Sequence, residues 1–250
     1  ALLNLKNGGI CGNVTFKVRN GDYFERMFLN PVKGSAPNAW IWFEGESEDS
    51  SLVELISSGS VDFPSTVRLN DVRYFGFKHM SFVQNASVNN YAPMHITRGK
   101  YITLENCETR AFSSSTSSAS THSMAAFIDS NLTIRSCRII GGAGTACNLV
   151  GTGPMKYNLT IENSQIIGGD ALDARNWTNV IIRNNFITGG GGNTNYAFYG
   201  LGLNRFDISN NYINAAGAQG TSALYLINNG GGSSGFRNKI VNNLLNTSLG

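Results

Sequence analysis

Ile102-Thr103-Leu104-Glu105-Asn106-Cys107 is answered thirty residues later by Leu132-Thr133-Ile134-Arg135-Ser136-Cys137. The same phrase, apolar-x-apolar-x-polar-polar, opens as Phe75-Gly76-Phe77-Lys78-His79-Met80. It returns as Leu159-Thr160-Ile161-Glu162-Asn163-Ser164, Val180-Ile181-Ile182-Arg183-Asn184-Asn185 and Phe206-Asp207-Ile208-Ser209-Asn210-Asn211. A weaker copy is Asn238-Lys239-Ile240-Val241-Asn242-Asn243. From Met80 to Asn243 the spacings are 27, 30, 27, 21, 26 and 32. Alternation with period two sends the apolar side chains of each phrase to one face, as in a strand. The polar pair that follows is rich in Asn, which tolerates the left-handed backbone of a sharp turn. Stacked Asn side chains at such a turn hydrogen-bond from one copy to the next. No 3.6-residue periodicity is sustained. Constant strands joined by loops of unequal length describe a solenoid. The expected fold is an all-β, right-handed parallel β-helix of about nine coils, which at ~4.8 Å per coil makes a rod of roughly 40 Å.

A second strand precedes each phrase: Thr66–Leu69, Met94–Thr97, Ala171–Arg175 and Ala197–Gly200. Counted back from the Asn/Cys turn, Val67, Met94, Leu172 and Phe198 share one offset and are expected to point inward. Arg68, His95, Asp173 and Tyr199 then share the outward face, joined by Arg175 and by Tyr225 at the same parity. Residues 1–65 carry Val14–Tyr23, a strand ending in a turn, and a second such stretch at Ile41–Ser47, and read as the first coils, with regular repeats over 66–250 in one domain. The N-terminal stretch lacks the charged start and apolar run of a signal peptide, and no cap pattern follows Asn243. The chain is therefore expected to be part of a larger protein, with neighbouring domains as partners.

Composition narrows the function classes. Charged residues make up 14% of the chain and the net charge is +3, with no basic run, so nothing points to nucleic acid. No apolar stretch is long enough to span a membrane. The four cysteines, Cys11, Cys107, Cys137 and Cys147, form neither a disulfide framework nor a zinc motif. Cys107 and Cys137 fall at the same turn in adjacent copies and are expected to be packed as two thiols. Gly189–Gly192 lacks the Lys-Ser/Thr of a phosphate loop. Neither a cofactor nor a metal is expected. The Asn-x-Ser/Thr sequons at Asn13, Asn85, Asn131, Asn158, Asn176 and Asn246 read as by-products of an Asn-rich chain.

The stretches VTFKVRNGDYFERMF (14–28), IWFEGESEDSSLVEL (41–55), YFGFKHMSF (74–82) and YITLENC (101–107) resemble the β-helical regions of surface proteins of Bacteroidetes exported by the type IX secretion system. More loosely, they resemble the pectate-lyase and pectin-esterase superfamily. The resemblance covers essentially the whole chain. It implies the β-helix, export and display at the cell surface. Ser60-Val61-Asp62-Phe63 is similar to a catalytic segment of pectin methylesterases. It lacks the accompanying Gln-Asp pair and precedes the repeats, so coincidence is the better reading.

Two functions compete. Asp170 and Asp173 open one strand as a carboxylate pair, the group needed for general acid–base cleavage of a glycosidic bond. Arg175 and His95 complete that candidate catalytic set. Against it stands the absence of the Asp-Asp and Gly-His-Gly segments of polygalacturonases. Arg68, His95, Asp173, Arg175, Tyr199 and Tyr225 equally make an outward, noncatalytic binding face. There cations meet an acidic sugar and rings stack on it, with Tyr196 and Trp177 as further candidate rings. The sequence alone favours a noncatalytic module, a stalk or adhesin of an exported surface protein with a glycan or cell-surface ligand. The alternative is a polysaccharide lyase or glycoside hydrolase acting on acidic polysaccharide.

Overall fold

The computed structural model describes residues 2–58, 65–85, 92–111, 122–128, 130–142, 144–150, 155–189, 196–217, 221–230 and 238–249. Their strands form three parallel sheets that run the length of a β-helix. The first sheet has nine strands, from Val14–Val18 to Lys239–Val241. The second has nine, from Gly21–Tyr23 to Leu244–Leu249. The third has eight, from Met27–Leu29 to Ser222–Ile227. Each coil contributes one strand to each sheet, and every pairing is with the coil before and after. Helix is confined, among the described residues, to Leu2–Gly8 and one 3-10 turn at Ser50–Leu52. The sequence does not announce the Leu2–Gly8 helix, which seats Leu5 in the core at the N-terminal end.

The inward rows follow the repeat phrase. Ile41, Phe75, Ile102, Leu132, Leu159, Val180 and Phe206 stack in register, all 5% exposed or less. In the third sheet Val67, Met94, Met124, Cys147, Leu172 and Phe198 form another such row. The four residues placed inward by sequence are fully or almost fully buried. Phe43, Phe75, Phe77 and Phe82 contact one another ring to ring.

The turn between the first and second sheets is the Asn pair. Its first member has positive φ in every copy: His79, Asn106, Ser136, Asn163, Asn184, Asn210 and Asn242. Its second member points inward and builds a ladder. Asn185 donates from its backbone N–H and its Nδ2 to Asn211 Oδ1, both at 3.0 Å. Asn211 does the same to Asn243 Oδ1 at 2.9 Å. Their amides also donate to the carbonyls of Ile161 and Ile182. Buried backbone groups that the turn frees from the sheets thus find side-chain partners. Farther up the same column stand Cys107 and Cys137, 2% and 4% exposed and unbonded. Burial, then contact with the Cys107 thiol, pushes the Cys137 thiol far up, which keeps it protonated.

Two outward features of the first sheet matter below. One is a row of alternating charge: Lys17, Glu44, Lys78, Glu105, Arg135, Glu162 and Arg183 stand in register. Lys17 reaches Glu44 at 2.9 Å, Lys78 reaches Glu105 at 3.2 Å, and Glu162 takes Arg135 at 3.3 Å and Arg183 at 2.6 Å. The other is a column of positive-φ residues at the entry to each strand: Tyr74, Tyr101, Asn131, Asn158, Asn179 and Arg205. Asn158 donates to Asn131 at 2.8 Å and Asn179 to Asn158 at 3.0 Å. Asn131 and Asn158 are thus rungs of a ladder, which gives these two sequons a structural role.

Candidate active site

The site lies on the outward face of the third sheet. One row there reads Phe28, Arg68, His95, Ala125, Asn148, Asp173, Tyr199 and Tyr225, one residue per coil. Arg68, His95, Asp173, Tyr199 and Tyr225 therefore share a face, and Arg175 lies two residues along from Asp173. Strand alternation is the whole cause of this placement.

Asp173 is the centre. It is 7% exposed although it faces outward, because its neighbours cover it. Arg175 donates from Nε to Asp173 Oδ1 at 2.8 Å and from Nη2 to Oδ2 at 2.5 Å, a bidentate pair. Burial nevertheless raises the Asp173 carboxyl above its ordinary pKa, against the opposing pull of Arg175, and the Asp170 charge raises it further. Asp170 opens the same strand and is 4% exposed.

His122 completes the group, from the residues leading into strand Met124–Phe127, two coils before the strand of Asp173. Its Nδ1 lies 3.1 Å from the Thr145 carbonyl and its Nε2 lies 3.1 Å from Asn148 Nδ2. A carbonyl only accepts, so the neutral ring carries its proton on Nδ1. Nε2 is then left as a base that accepts from the Asn148 amide. Burial lowers the His122 pKa, partly offset by the Thr145 carbonyl and by Asp173 and Asp170. The ring is thus neutral at neutral pH. Asn148 Oδ1 is buried without a hydrogen-bond partner.

Aromatic rings flank the charges. The Arg175 guanidinium sits 4.9 Å from the Tyr199 ring centroid. Tyr196 and Tyr225 stack at 4.5 Å, and Tyr199 lies 5.5 Å from Tyr196 and 5.9 Å from Tyr225. Trp177 does not join them. It is fully buried, with Nε1 donating to the Leu149 carbonyl at 3.0 Å, because its strand position faces the core.

The remaining sequence candidates separate along the row. Asp170, Asp173 and Arg175 converge. His95 lies three coils from Asp173, about 14 Å, and contacts Phe127 edge to face. Its pKa is lowered by burial, then by Arg68 and His122. Arg68 lies one coil farther, over the Phe28 ring at 5.8 Å. The expectation that His95 completes a catalytic set with Asp173 gives way to His122. Sequence reasoning passed over His122 and Asn148. Asn148 was within reach, since it occupies the outward row between His95 and Asp173. His122 stands outside any strand, where alternation assigns no direction. Ser60-Val61-Asp62-Phe63, the serine run 113–120 and the glycine loops 190–192 and 231–235 lie outside the described residues. Among the described residues no three His, Cys, Asp or Glu side chains group as metal ligands.

The sequence matches no known family and no curated protein. Six solved structures are similar in fold. Among them, pectin methylesterase PemA from Erwinia chrysanthemi is 10% identical, with 96% of this chain and 87% of that chain covered and a TM-score of 0.41. The pectin methylesterase of Aspergillus niger is 11% identical, with 94% and 82% covered and a TM-score of 0.45. A pectin methylesterase mutant in complex with a hexasaccharide is 12% identical, with 94% and 86% covered and a TM-score of 0.44. These neighbours are named as pectin methylesterases, which stands against the expectation of a noncatalytic stalk or adhesin.

Proposed function

We propose that this protein is an enzyme acting on an acidic polysaccharide, with Asp173, Asp170 and His122 as its acid–base groups. The observation that carries the proposal is their convergence. Two carboxyls and a neutral imidazole lie within electrostatic reach of one another, with Asp173 on the outward face beside Arg175 and three tyrosines. Bond cleavage in a sugar polymer needs one group that holds a proton and another that takes one. The raised Asp173 carboxyl suits the first task, and the unprotonated Nε2 of His122 suits the second. Arg175 suits a uronate carboxylate, and Tyr199, Tyr196 and Tyr225 offer apolar ring surface to the sugar. The orphaned Asn148 Oδ1 is an acceptor for a substrate hydroxyl or an attacking water.

A polysaccharide substrate also fits the export to the cell surface that the sequence resemblance implies; fractionation of cells producing the full-length protein checks that setting. Pectin, the substrate in the names of the neighbouring structures, is the first polymer to assay. Incubation with methylated and unmethylated polygalacturonate distinguishes three outcomes. Methanol marks an esterase, new reducing ends a hydrolase, and unsaturated ends absorbing in the ultraviolet a lyase. Turnover that survives both Asp173→Asn and His122→Gln, or no turnover on any uronate polymer, defeats the proposal.

A further inference from the structure

An exposed aromatic surface lies on the first sheet, away from Asp173. The positive-φ column there carries Asn in three central coils, Asn131, Asn158 and Asn179. Asn is among the residues that accept this backbone most readily. In two coils the same position holds tyrosine instead: Tyr74 at φ 52° and Tyr101 at φ 56°. A bulky side chain at positive φ is an outlier that persists only where something else requires it. The core does not require these rings. Tyr101 is 38% exposed and Tyr74 is half-buried on the solvent side.

One coil earlier, Trp40 directly precedes Ile41, which pairs with Phe75 just as Phe75 pairs with Ile102. The aromatic run is therefore Trp40, Tyr74 and Tyr101, three coils in succession. Tyr74 and Tyr101 stack at 4.5 Å. Trp40 meets Tyr74 edge-on at 5.7 Å and lies parallel to Trp42 at 5.5 Å. Trp42 has a seat built for it. In the outward row where later coils carry Thr103, Thr133 and Thr160, the neighbouring coil carries Gly76. A Cβ at Gly76 would come within 2.1 Å of the Trp42 ring. Arg73 borders the rings, exposed, and the in-register residue of the next coil is Lys100.

We infer that Trp40, Trp42, Tyr74 and Tyr101 form a platform that binds an acidic polysaccharide chain outside the catalytic face, with Arg73 and Lys100 meeting its carboxylates. Preset rings offer apolar surface to pyranose C–H groups at little entropic cost, and the flanking cations select a charged polymer. The Tyr101 coil lies three coils, about 14 Å along the axis, from the coil that carries Asp173. The platform thus holds polymer near the active face without touching it. The substrate class rests on the function proposed above, but binding and turnover are read separately.

Affinity electrophoresis through gels containing polygalacturonate, with dextran as the neutral control, is the test. Trp40→Ala and Tyr101→Asn should each weaken polygalacturonate binding about fivefold. Turnover of short soluble oligouronates should be unchanged. Tyr101→Asn restores the residue of the neighbouring coils, so its melting temperature should hold or rise. Arg73→Gln should weaken binding to polygalacturonate at low salt. Wild-type protein that binds polygalacturonate through these rings but releases no product would end the enzymatic reading and sustain the platform. The platform is overturned by wild-type protein that ignores polygalacturonate, by Trp40→Ala and Tyr101→Asn binding like wild type, or by a Tyr101→Asn protein whose lost binding comes with a lowered melting temperature.

Discussion

Asp173 is held between two opposed influences. Burial works against its charge and Arg175 works for it, with burial the stronger. An isosteric amide removes the charge and keeps an acceptor for Arg175. Asp173→Asn is therefore expected to lower turnover by a factor of about 100 or more without lowering the melting temperature, a pairing that steady-state kinetics and calorimetry check together. His122 and His95 have lowered pKa values, both chiefly through burial. The unfolded chain binds protons at 6.5 more readily than the folded one, so their contribution to stability is present above that pH and is lost as pH falls through the folded pKa. Asp173 has the opposite sign: its raised carboxyl contributes stability below 3.8 that is lost as pH rises through its folded pKa. Denaturant melts between pH 7 and pH 5 should show the histidine effect, diminished in His122→Gln. The proposed roles need His122 without its proton and Asp173 with one, so the lowered His122 pKa and the raised Asp173 pKa set the two limbs of the pH–rate profile, which kinetics measures. Asp173, Arg175 and Tyr199 were legible as outward residues because strand parity is a local property. His122 was not, because its position depends on how a loop returns to the sheet.

At the level of the element, the Asn turn holds the coils together. Asn211 donates from its amide to the Ile182 carbonyl and to Asn243, and accepts from Asn185, all at 3.0 Å or less. Asn211→Ala would leave several buried groups without partners, at a cost of about 2 kcal/mol or more, read as a lower midpoint in urea. Asn163→Ala, one turn position earlier and at positive φ, should cost about 1 kcal/mol through backbone strain alone. The Asn pairs made this turn readable from sequence, since the residue type states the backbone it tolerates. The column at the strand entries was harder to see. It is occupied in turn by Tyr74, Tyr101, Asn131, Asn158, Asn179 and Arg205, and no shared chemistry reveals a shared conformation. Cys107 and Cys137 illustrate the same turn with a different filling: two buried thiols, expected to be found uncrosslinked by mass spectrometry under non-reducing conditions.

For the whole molecule, each coil pairs its strands only with its neighbours, so interior damage is felt locally and transmitted along the stack. Phe75 and Phe77 touch each other and the rings of adjacent strands. Phe77→Ala is expected to cost about 3–5 kcal/mol and to lower the thermal transition of the N-terminal coils first, as hydrogen exchange by segment would show. Far-UV circular dichroism should be a β spectrum with little helix. The architecture was legible because it is written repeatedly: each coil restates the alternation and the turn. The proposed acid–base group was not, because it forms once, where loop lengths bring His122 towards Asp173, and a β-helix carries enzymes and inert rods on the same scaffold.

The alternating charges on the first sheet bear on how such a chain grows or shrinks. Removing the coil that carries Lys78 would set Glu44 against Glu105, like against like. Removing that coil together with the next would set Glu44 against Arg135 and restore the alternation. The row behaves as a parity bit: it registers whether an odd or even number of coils has been lost, though each mismatch amounts to only ~0.2–1 kcal/mol. Excising the two coils should therefore leave a protein that melts higher than one lacking a single coil, and lineages of this fold would gain and lose coils most readily in pairs.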